Sequence, residues 1–322
     1  MNIFINDVKD LHFSIFVIGY CEKGESLILF LKDKSTNRIL YTIVVDCYEC
    51  HSHHKTIEIL SEHNINNIDL LCWTHPDDDH TKGLLKLVNE KCSKSTIFLL
   101  PEGIHGKEGD VLTYNEEEIE ILQKINSFNR GTNYNVRTVS TNPMLSQGLI
   151  KKTYKDLTNN ASVMFEISAL APCSPILRRR IETEPNKVKK NDFSIALLIN
   201  LGELQFLLSG DVENQSIRQI DEDFINNLCF IKTPHHTSKS SDLLLTKLNN
   251  SIKIPVSCTT VYKANYLPDT DLITEYKKYC DKFHSTGIKN SKNDKYGVVE
   301  YGFDVISKDI TTLQLYGNAV ES

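Results

Sequence analysis

Apolar positions along the chain follow two periods in turn. Apolar runs at 13–20, 26–31 and 39–45 predict three opening strands, the first two joined by the turn Glu22-Lys-Gly-Glu25. From Lys55 to Asn64 the spacing of Ile57, Ile59 and Leu60 becomes helical, and Ile68 to Trp73 returns to a short buried strand. A polar loop at 74–80, a helix over 82–91 and a strand over 96–100 follow, the last stopped by Pro101 and Gly103. Asn115 is placed to cap a helix whose first turn carries Glu116, Glu117 and Glu118, where the macrodipole favours acids. The stretch 140–160 has weak periodicity and receives no element.

The second half continues the alternation. Strands are expected at 163–170, at 193–201 and 204–208 as a hairpin through Gly202-Glu203, and then at 228–232, 252–258, 296–302 and 311–316. Helices are expected near 213–225, 241–249 and 269–280, and 178–191 reads as a charged, proline-containing loop. Strand-rich halves with helices between the strands predict an α/β fold of sheets covered by helices.

Composition narrows the class. The chain has 322 residues with 36 Lys+Arg against 42 Asp+Glu, a formal charge of −6, so it is no global polycation. With 40% hydrophobic residues, 14 Gly and 9 Pro, it is not collagenous, low-complexity or coiled coil. No stretch resembles a linker, so a single domain over 1–322 is expected. The opening Met1-Asn-Ile-Phe-Ile-Asn-Asp-Val does not read as a signal peptide. The apolar runs fall short of the roughly 18–20 residues of a spanning helix. A soluble, cytoplasmic protein with no membrane partner is expected. Nine scattered cysteines, an odd number, suit reduced thiols better than a disulfide framework.

The informative segment is Trp73-Thr-His75-Pro-Asp77-Asp78-Asp79-His80-Thr-Lys-Gly83, between a strand and a helix. Its two histidines and three clustered carboxylates can converge on divalent cations, and without a cation the aspartates repel at short range. Helix capping by Asp78 or Asp79 would account for one aspartate and neither histidine.

This segment resembles the metal-binding signature of the metallo-β-lactamase superfamily, with Asp77 where many members carry a second histidine. The His-x-Asp-x-Asp-His form is similar to the C-terminal domain of ComEC-type DNA-uptake proteins and their stand-alone relatives. Further segments follow in the family's order: Gly24-Glu-Ser-Leu-Ile, Val44-Val45-Asp46, Asn191-Asp-Phe-Ser, Leu207-Leu-Ser-Gly210-Asp211 and Pro234-His235-His236-Thr-Ser-Lys239. The match runs from about Phe13 to Thr286. Taken alone, Gly210-Asp211 is a common turn pair, His235-His236 a surface pair and Asp46 a strand end.

The resemblance implies a four-layer αββα sandwich holding two divalent ions, Mn²⁺ or Zn²⁺. The ligands would be His75, Asp77, Asp79, His80, Asp211 and His236, with His235 an alternative ligand or a phosphate contact. Asp46 would orient a ligand from behind. Ions about 3.5–4 Å apart would acidify a shared water and present it to phosphorus. Catalysis would fall to Asp79, His235 and Lys239, with Ser238, Lys239, Lys263 and Tyr266 touching substrate. The implied reaction is phosphodiester hydrolysis of nucleic acid, with DNA first. The alternatives are a small-molecule phosphodiesterase or lactone/ester hydrolase on the same fold, and a non-catalytic binding module stabilised by metal.

Several positions depart from the family pattern. Thr237 replaces a glycine, which removes the freedom to adopt positive φ. Leu267 stands where a proton-carrying histidine is usual, leaving Lys239, Lys263, Tyr266 or metal-bound water to assist the leaving oxygen. His105 is the candidate for a further histidine, and Ala171-Pro172 sits where some members carry it. Cys47-Tyr-Glu-Cys50-His51, with His53 and His54, matches a haem or zinc pattern, but neither export nor a second Cys/His pair accompanies it. The basic residues Arg178, Arg179, Arg180, Lys187, Lys189 and Lys190 form either a phosphate grip or a solvated loop.

Overall fold

The structure is a computed structural model that describes residues 5–20, 22–50, 53–104, 111–128, 135–248, 253–288 and 296–322. The first half contains strands β1 (Ile5–Val8), β2 (Leu11–Tyr20), β3 (Glu25–Asp33), β4 (Arg38–Val45), β5 (Leu70–Cys72), β6 (Ile97–Pro101) and β7 (Val136–Val139). The second contains β8 (Gln147–Asp156), β9 (Ala161–Ala171), β10 (Ala196–Leu201), β11 (Leu204–Leu208) and β12 (Leu228–Lys232). It ends with β13 (Ile254–Thr259), β14 (Cys280–Ser285), β15 (Tyr296–Asp304), β16 (Ile310–Gly317) and β17 (Val320–Glu321). Eight α-helices lie among the described residues: α1 (Lys55–Glu62), α2 (Asp78–Thr81), α3 (Leu84–Lys91), α4 (Glu116–Ser127), α5 (Ser174–Thr183), α6 (Asn214–Ile217), α7 (Leu243–Lys247) and α8 (Thr270–Tyr276).

One sheet runs β16-β15-β2-β3-β4-β5-β6-β7 and the other β1-β8-β9-β10-β11-β12-β13-β14-β17. Alternation along β2 shows how they stack. Phe13, Ile15 and Val17 join a core with Phe165, Ile167, Phe206 and Phe230 of the second sheet, between the two sheets. Phe16, Ile18 and Tyr20 point the other way, into a cluster with Leu60 of α1, Leu87 of α3 and Ile121 of α4. The second sheet is likewise covered outside, where Leu198, Leu207 and Ile231 pack on Ile217 of α6, Leu244 of α7 and Leu272 of α8. The order of layers is therefore helix, sheet, sheet, helix, as the resemblance implies. Strands buried on both faces read as unbroken apolar runs rather than alternating ones, which is why β2 and β3 were legible.

Four expectations are corrected. The unplaced stretch holds β8, whose side chains alternate between buried and exposed with many polar residues, and only the short β1 lies beyond it in the sheet. Residues 178–183 are helical: Pro175 sits in the first turn of α5 and the basic triplet on its body. The helix expected at 269–280 stops at Tyr276, and Cys280–Ser285 becomes β14, parallel to β13. The long helix expected at 213–225 is only a turn of α-helix, α6, followed by a single 3₁₀ turn. Asn115 does cap α4, and with Glu118 it forms a reciprocal capping box.

Candidate metal centre

In each sheet the parallel strands end at the same edge. β4 and β5 are parallel, as are β11, β12 and β13, and the residues just past them are Asp46, His75, Asp211, His236 and Thr260. Loops after parallel strands are where sites are built, because rigid strands fix their roots. β3 runs antiparallel to β4, with Leu27 opposite Val45, so its first residue, Glu25, starts at this same edge.

Two of the histidines hang from one carboxylate. The chain turns sharply at Asp46, which takes φ 56°, and its fully buried side chain accepts from the Thr74 amide at 2.7 Å, Thr74 Oγ1 at 2.6 Å and His80 Nδ1 at 2.8 Å. Thr74 Oγ1 has its proton committed to Asp46, so it accepts from His75 Nδ1, 3.0 Å away. In the neutral form both rings thereby carry their proton on Nδ1, with Nε2 facing inward. Asp46 thus supports both rings from behind, His80 directly and His75 through Thr74. The helix α2 raises Asp79 and His80 together; Asp78 and Asp79 lie inside it, and the N-cap position of α3 is Gly83, so the capping alternative fails.

The opposite wall comes from the second sheet. Gly210 takes φ 51°, and a Cβ there would lie 2.7 Å from Ile195 O and from Ser194 Oγ. That tight turn swings Asp211 inward, with its amide donating to Ser194 Oγ at 2.8 Å. Asp211 Oδ1 is 3.5 Å from His80 Nε2, while Oδ2 is 3.8 Å from both His235 Nε2 and His236 Nε2. His236 Nε2 is 3.0 Å from Asp79 Oδ2. His235, His236 and Thr237 all have positive φ, of 47°, 50° and 61°. Thr237 therefore occupies the conformation that its β-branch disfavours. Its hydroxyl meets those of Thr233 and Thr259, each at 2.8 Å, which holds the turn in place.

The residues fit a divalent cation. His75 Nε2, His80 Nε2 and Asp211 Oδ1 are buried and make no hydrogen bond, an arrangement that needs a partner. The nearest carboxylates, Asp77 at 3.4 Å from His75 and Asp79 at 3.5 Å from His80, are too far to bond them well. Ligand bonds of about 2.1 Å at ordinary coordination angles place ligand atoms about 3.0–3.5 Å apart, the spacing seen here. The donor set is imidazole and carboxylate, without thiolate.

Electrostatics agree. Burial opposes charge in Asp79 and Asp211, but His80 and His236 outweigh it and hold both carboxyls below the ordinary aspartate value of 3.8. Burial likewise opposes charge in His80 and His236, and Asp211 with Asp79 raises both above 6.5. Without metal, protons thus substitute for cations. The lowered aspartates stabilise the fold above about pH 3.8 and lose that effect as pH falls through their folded values; the raised histidines stabilise it below 6.5 and lose it as pH rises through theirs. The chelator-treated protein should therefore lose thermal stability between pH 6.5 and 9, whereas the Zn²⁺-loaded protein should not. Equal slopes in a thermal-shift series with and without metal would contradict this account.

The remaining predicted residues lie around this centre. Asp77 stays beside His75 but is 36% exposed at its side chain. His235 is at the rim, where Nδ1 meets Ser240 Oγ at 3.0 Å and the Asn191 amide approaches Nε2 at 3.4 Å. Ser238 accepts from the Ser240 amide, and the Lys239 ammonium lies 3.4 Å from Asp269. Tyr266 is 76% exposed, and Lys263 lies in the same turn, its amide bonded to Glu22 O at 2.7 Å. The aromatic ring against the cluster is that of Tyr262, 5.3 Å from His236 between centroids. Of the basic residues, Arg178 pairs with Glu102, Arg180 with Asp192, Lys187 with Glu184 and Lys190 with Glu118. His105 and His51 lie outside the described residues. Cys47 is buried 3.6 Å from His54 Nε2, and His54 caps α1.

Glu25 was not among the expected site residues, although it lies in the segment Gly24-Glu-Ser-Leu-Ile. Ligand-type atoms of Glu25, His80, Asp211 and His236 lie within 4.8 Å of one another. Glu25 Oε2 accepts from Lys232 Nζ at 2.7 Å and Thr260 Oγ1 at 2.5 Å. Burial would raise the Glu25 carboxyl, but Lys232, His80 and His236 bring it below its usual range. An acidic residue opening a strand whose positions 27–31 are all apolar was the available signal.

No known family model matches the chain, and no curated protein matches it in sequence. Solved structures do align with it. One, from Parabacteroides distasonis and provisionally described as a metal-dependent hydrolase, has 13% identity, a TM-score of 0.37, and alignment over 82% of this chain and 87% of that one. Another, a diphosphatase of the PhnP family, has 11% identity and a TM-score of 0.35, over 76% of this chain and 85% of that one. Likeness at this level leaves the chemistry to be argued from the residues themselves. Among the described residues no helix is long and apolar enough to cross a membrane.

Proposed function

We propose that the protein is a metal-dependent hydrolase of phosphodiesters, with nucleic acid, and DNA first, as its substrate. The observation that carries this reading is the convergence of three inward-facing imidazole nitrogens and the Asp79 and Asp211 carboxylates at one strand edge, several of them buried without a partner. Asp79, His80, Asp211 and His236 would hold one cation, and His75 with Asp77 a second. Mn²⁺ or Zn²⁺ suits this donor set. Such ions supply Lewis acidity toward a phosphoryl oxygen and lower the pKa of water.

The chain's own residues do the rest. Asp46 and Thr74 keep two imidazoles in the tautomer that can ligate. The Tyr262 ring covers one side of His236 and limits water there. His235 stands at the rim, 18% exposed at its side chain, where it can donate to a non-bridging oxygen. A second reading, a small-molecule phosphodiesterase, is favoured by the internal ion pairs of Arg178, Arg180 and Lys190, which reduce the positive field available to a polyanion.

The test is a substrate panel run on protein of measured metal content. Single- and double-stranded DNA, RNA, bis(p-nitrophenyl) phosphate and a lactone are each offered with Mn²⁺ or Zn²⁺. Cleavage of DNA, suppressed by chelator, supports the proposal. Hydrolysis of the small diester alone selects the second reading, and lactone hydrolysis with every phosphodiester intact overturns both.

A further inference from the structure

Lys232 and Glu25 form an ion pair buried to 0% and 1% exposure, linking β12 of one sheet to β3 of the other directly behind His236. A buried pair of this kind is no more stabilising than apolar residues of the same volume. Its partners explain its place. Lys232 Nζ donates to Glu25 Oε2 at 2.7 Å and to Thr233 O at 3.2 Å. Thr260 Oγ1 donates to the same carboxylate oxygen at 2.5 Å, and His236 Nδ1 lies 2.8 Å from Thr260 Oγ1.

Hydrogen-bond capacity fixes the direction of each link. An ionised carboxylate only accepts, and the hydroxyl has one proton, which goes to Glu25. Thr260 Oγ1 is left as an acceptor toward His236, so Nδ1 carries a proton and, in the neutral ring, Nε2 is the atom with the free lone pair. At Nε2 stand Asp79 and Asp211, at 3.0 and 3.8 Å. The arrangement mirrors that of His75, Thr74 and Asp46 across the centre.

We propose that Lys232, Glu25 and Thr260 are positioning residues that set the tautomer and aim of His236, with Glu25 acting through Thr260 rather than as a ligand; this rests on the metal-site reading above. Thr260 is the discriminating position, because T260V keeps the shape and loses the hydroxyl, while T260S keeps the hydroxyl.

The test measures Zn²⁺ affinity by competition with a chromophoric chelator and, in the Zn²⁺-loaded protein, exchange protection of the His236 Nδ1 proton by NMR. T260V should bind Zn²⁺ about 10–100-fold more weakly than the wild type and lose that protection, and T260S should restore both. Should T260V not fold, T260A removes the hydroxyl with less bulk and carries the same expectation. Wild-type affinity and protection in T260V or T260A overturns the relay, as does equal loss in T260V and T260S. A wild type that binds no Zn²⁺ overturns the metal reading itself, and the relay with it.

Discussion

Replacing Asp211 by Ala should lower turnover on the order of 10³-fold or more and strip most of the bound metal. Asp211 faces His80 with one oxygen and His235 and His236 with the other, so one side chain meets three of the site's imidazoles. Removing a charged ligand forfeits several kcal/mol of transition-state stabilisation, and each 1.36 kcal/mol is a factor of about ten. Asp211→Asn, which preserves shape but not charge, should fail similarly. Asp46→Asn, which acts only through the histidines behind which it sits, should cost about 10–100-fold. Metal content and kcat measured on the same preparations decide the matter. An Asp211→Ala protein with wild-type metal and wild-type rate would remove the centre from the mechanism.

Lys232→Met should lower the unfolding free energy by about 3–5 kcal/mol, because it leaves the buried Glu25 carboxylate without its partner. Against a typical domain stability of about 5–15 kcal/mol this is severe. Glu25 is now held low by Lys232, with burial pulling the other way. In the variant, burial prevails and the carboxyl takes up a proton on folding. A group raised in the folded state contributes stability below its unfolded value of 4.5 and loses it as pH rises through its folded value. The deficit should therefore be larger at pH 8 than at pH 5 in urea titrations. Leu at Glu25 together with Met at Lys232 should recover most of the loss, since an apolar pair needs no compensation. A single variant as stable as the wild type at both pH values would show that the pair is not buried as described.

The two variants probe the same edge from opposite sides. Asp211 acts on whatever the site holds, whereas Lys232 acts on the protein that holds it. A protein that keeps its stability in the first case and its metal in the second would separate the two roles.

The linear order of residues by itself determined much of this protein. Apolar runs located β2, β3, β4, β9, β10 and β11, since strands covered on both faces are apolar along most of their length. The cluster from His75 to His80 stood out as a candidate site because two histidines and three aspartates lie within reach of one another along a single loop. Asp46, Asp211 and His236 were legible only beside that cluster; each sits in a turn that would otherwise be unremarked. The rest belonged to the tertiary structure. β8 escaped because a strand near a sheet edge keeps polar residues on its solvent side, and the basic stretch from Arg178 to Lys190 looked like a solvated grip until folding gave it Glu102, Asp192, Glu184 and Glu118 as partners. Glu25 is more than two hundred positions from both Lys232 and Thr260 along the chain. Their meeting behind His236 depends on two sheets stacking with their strand ends at one edge, and a hydrogen bond reads distance in space, which no local pattern of residues encodes.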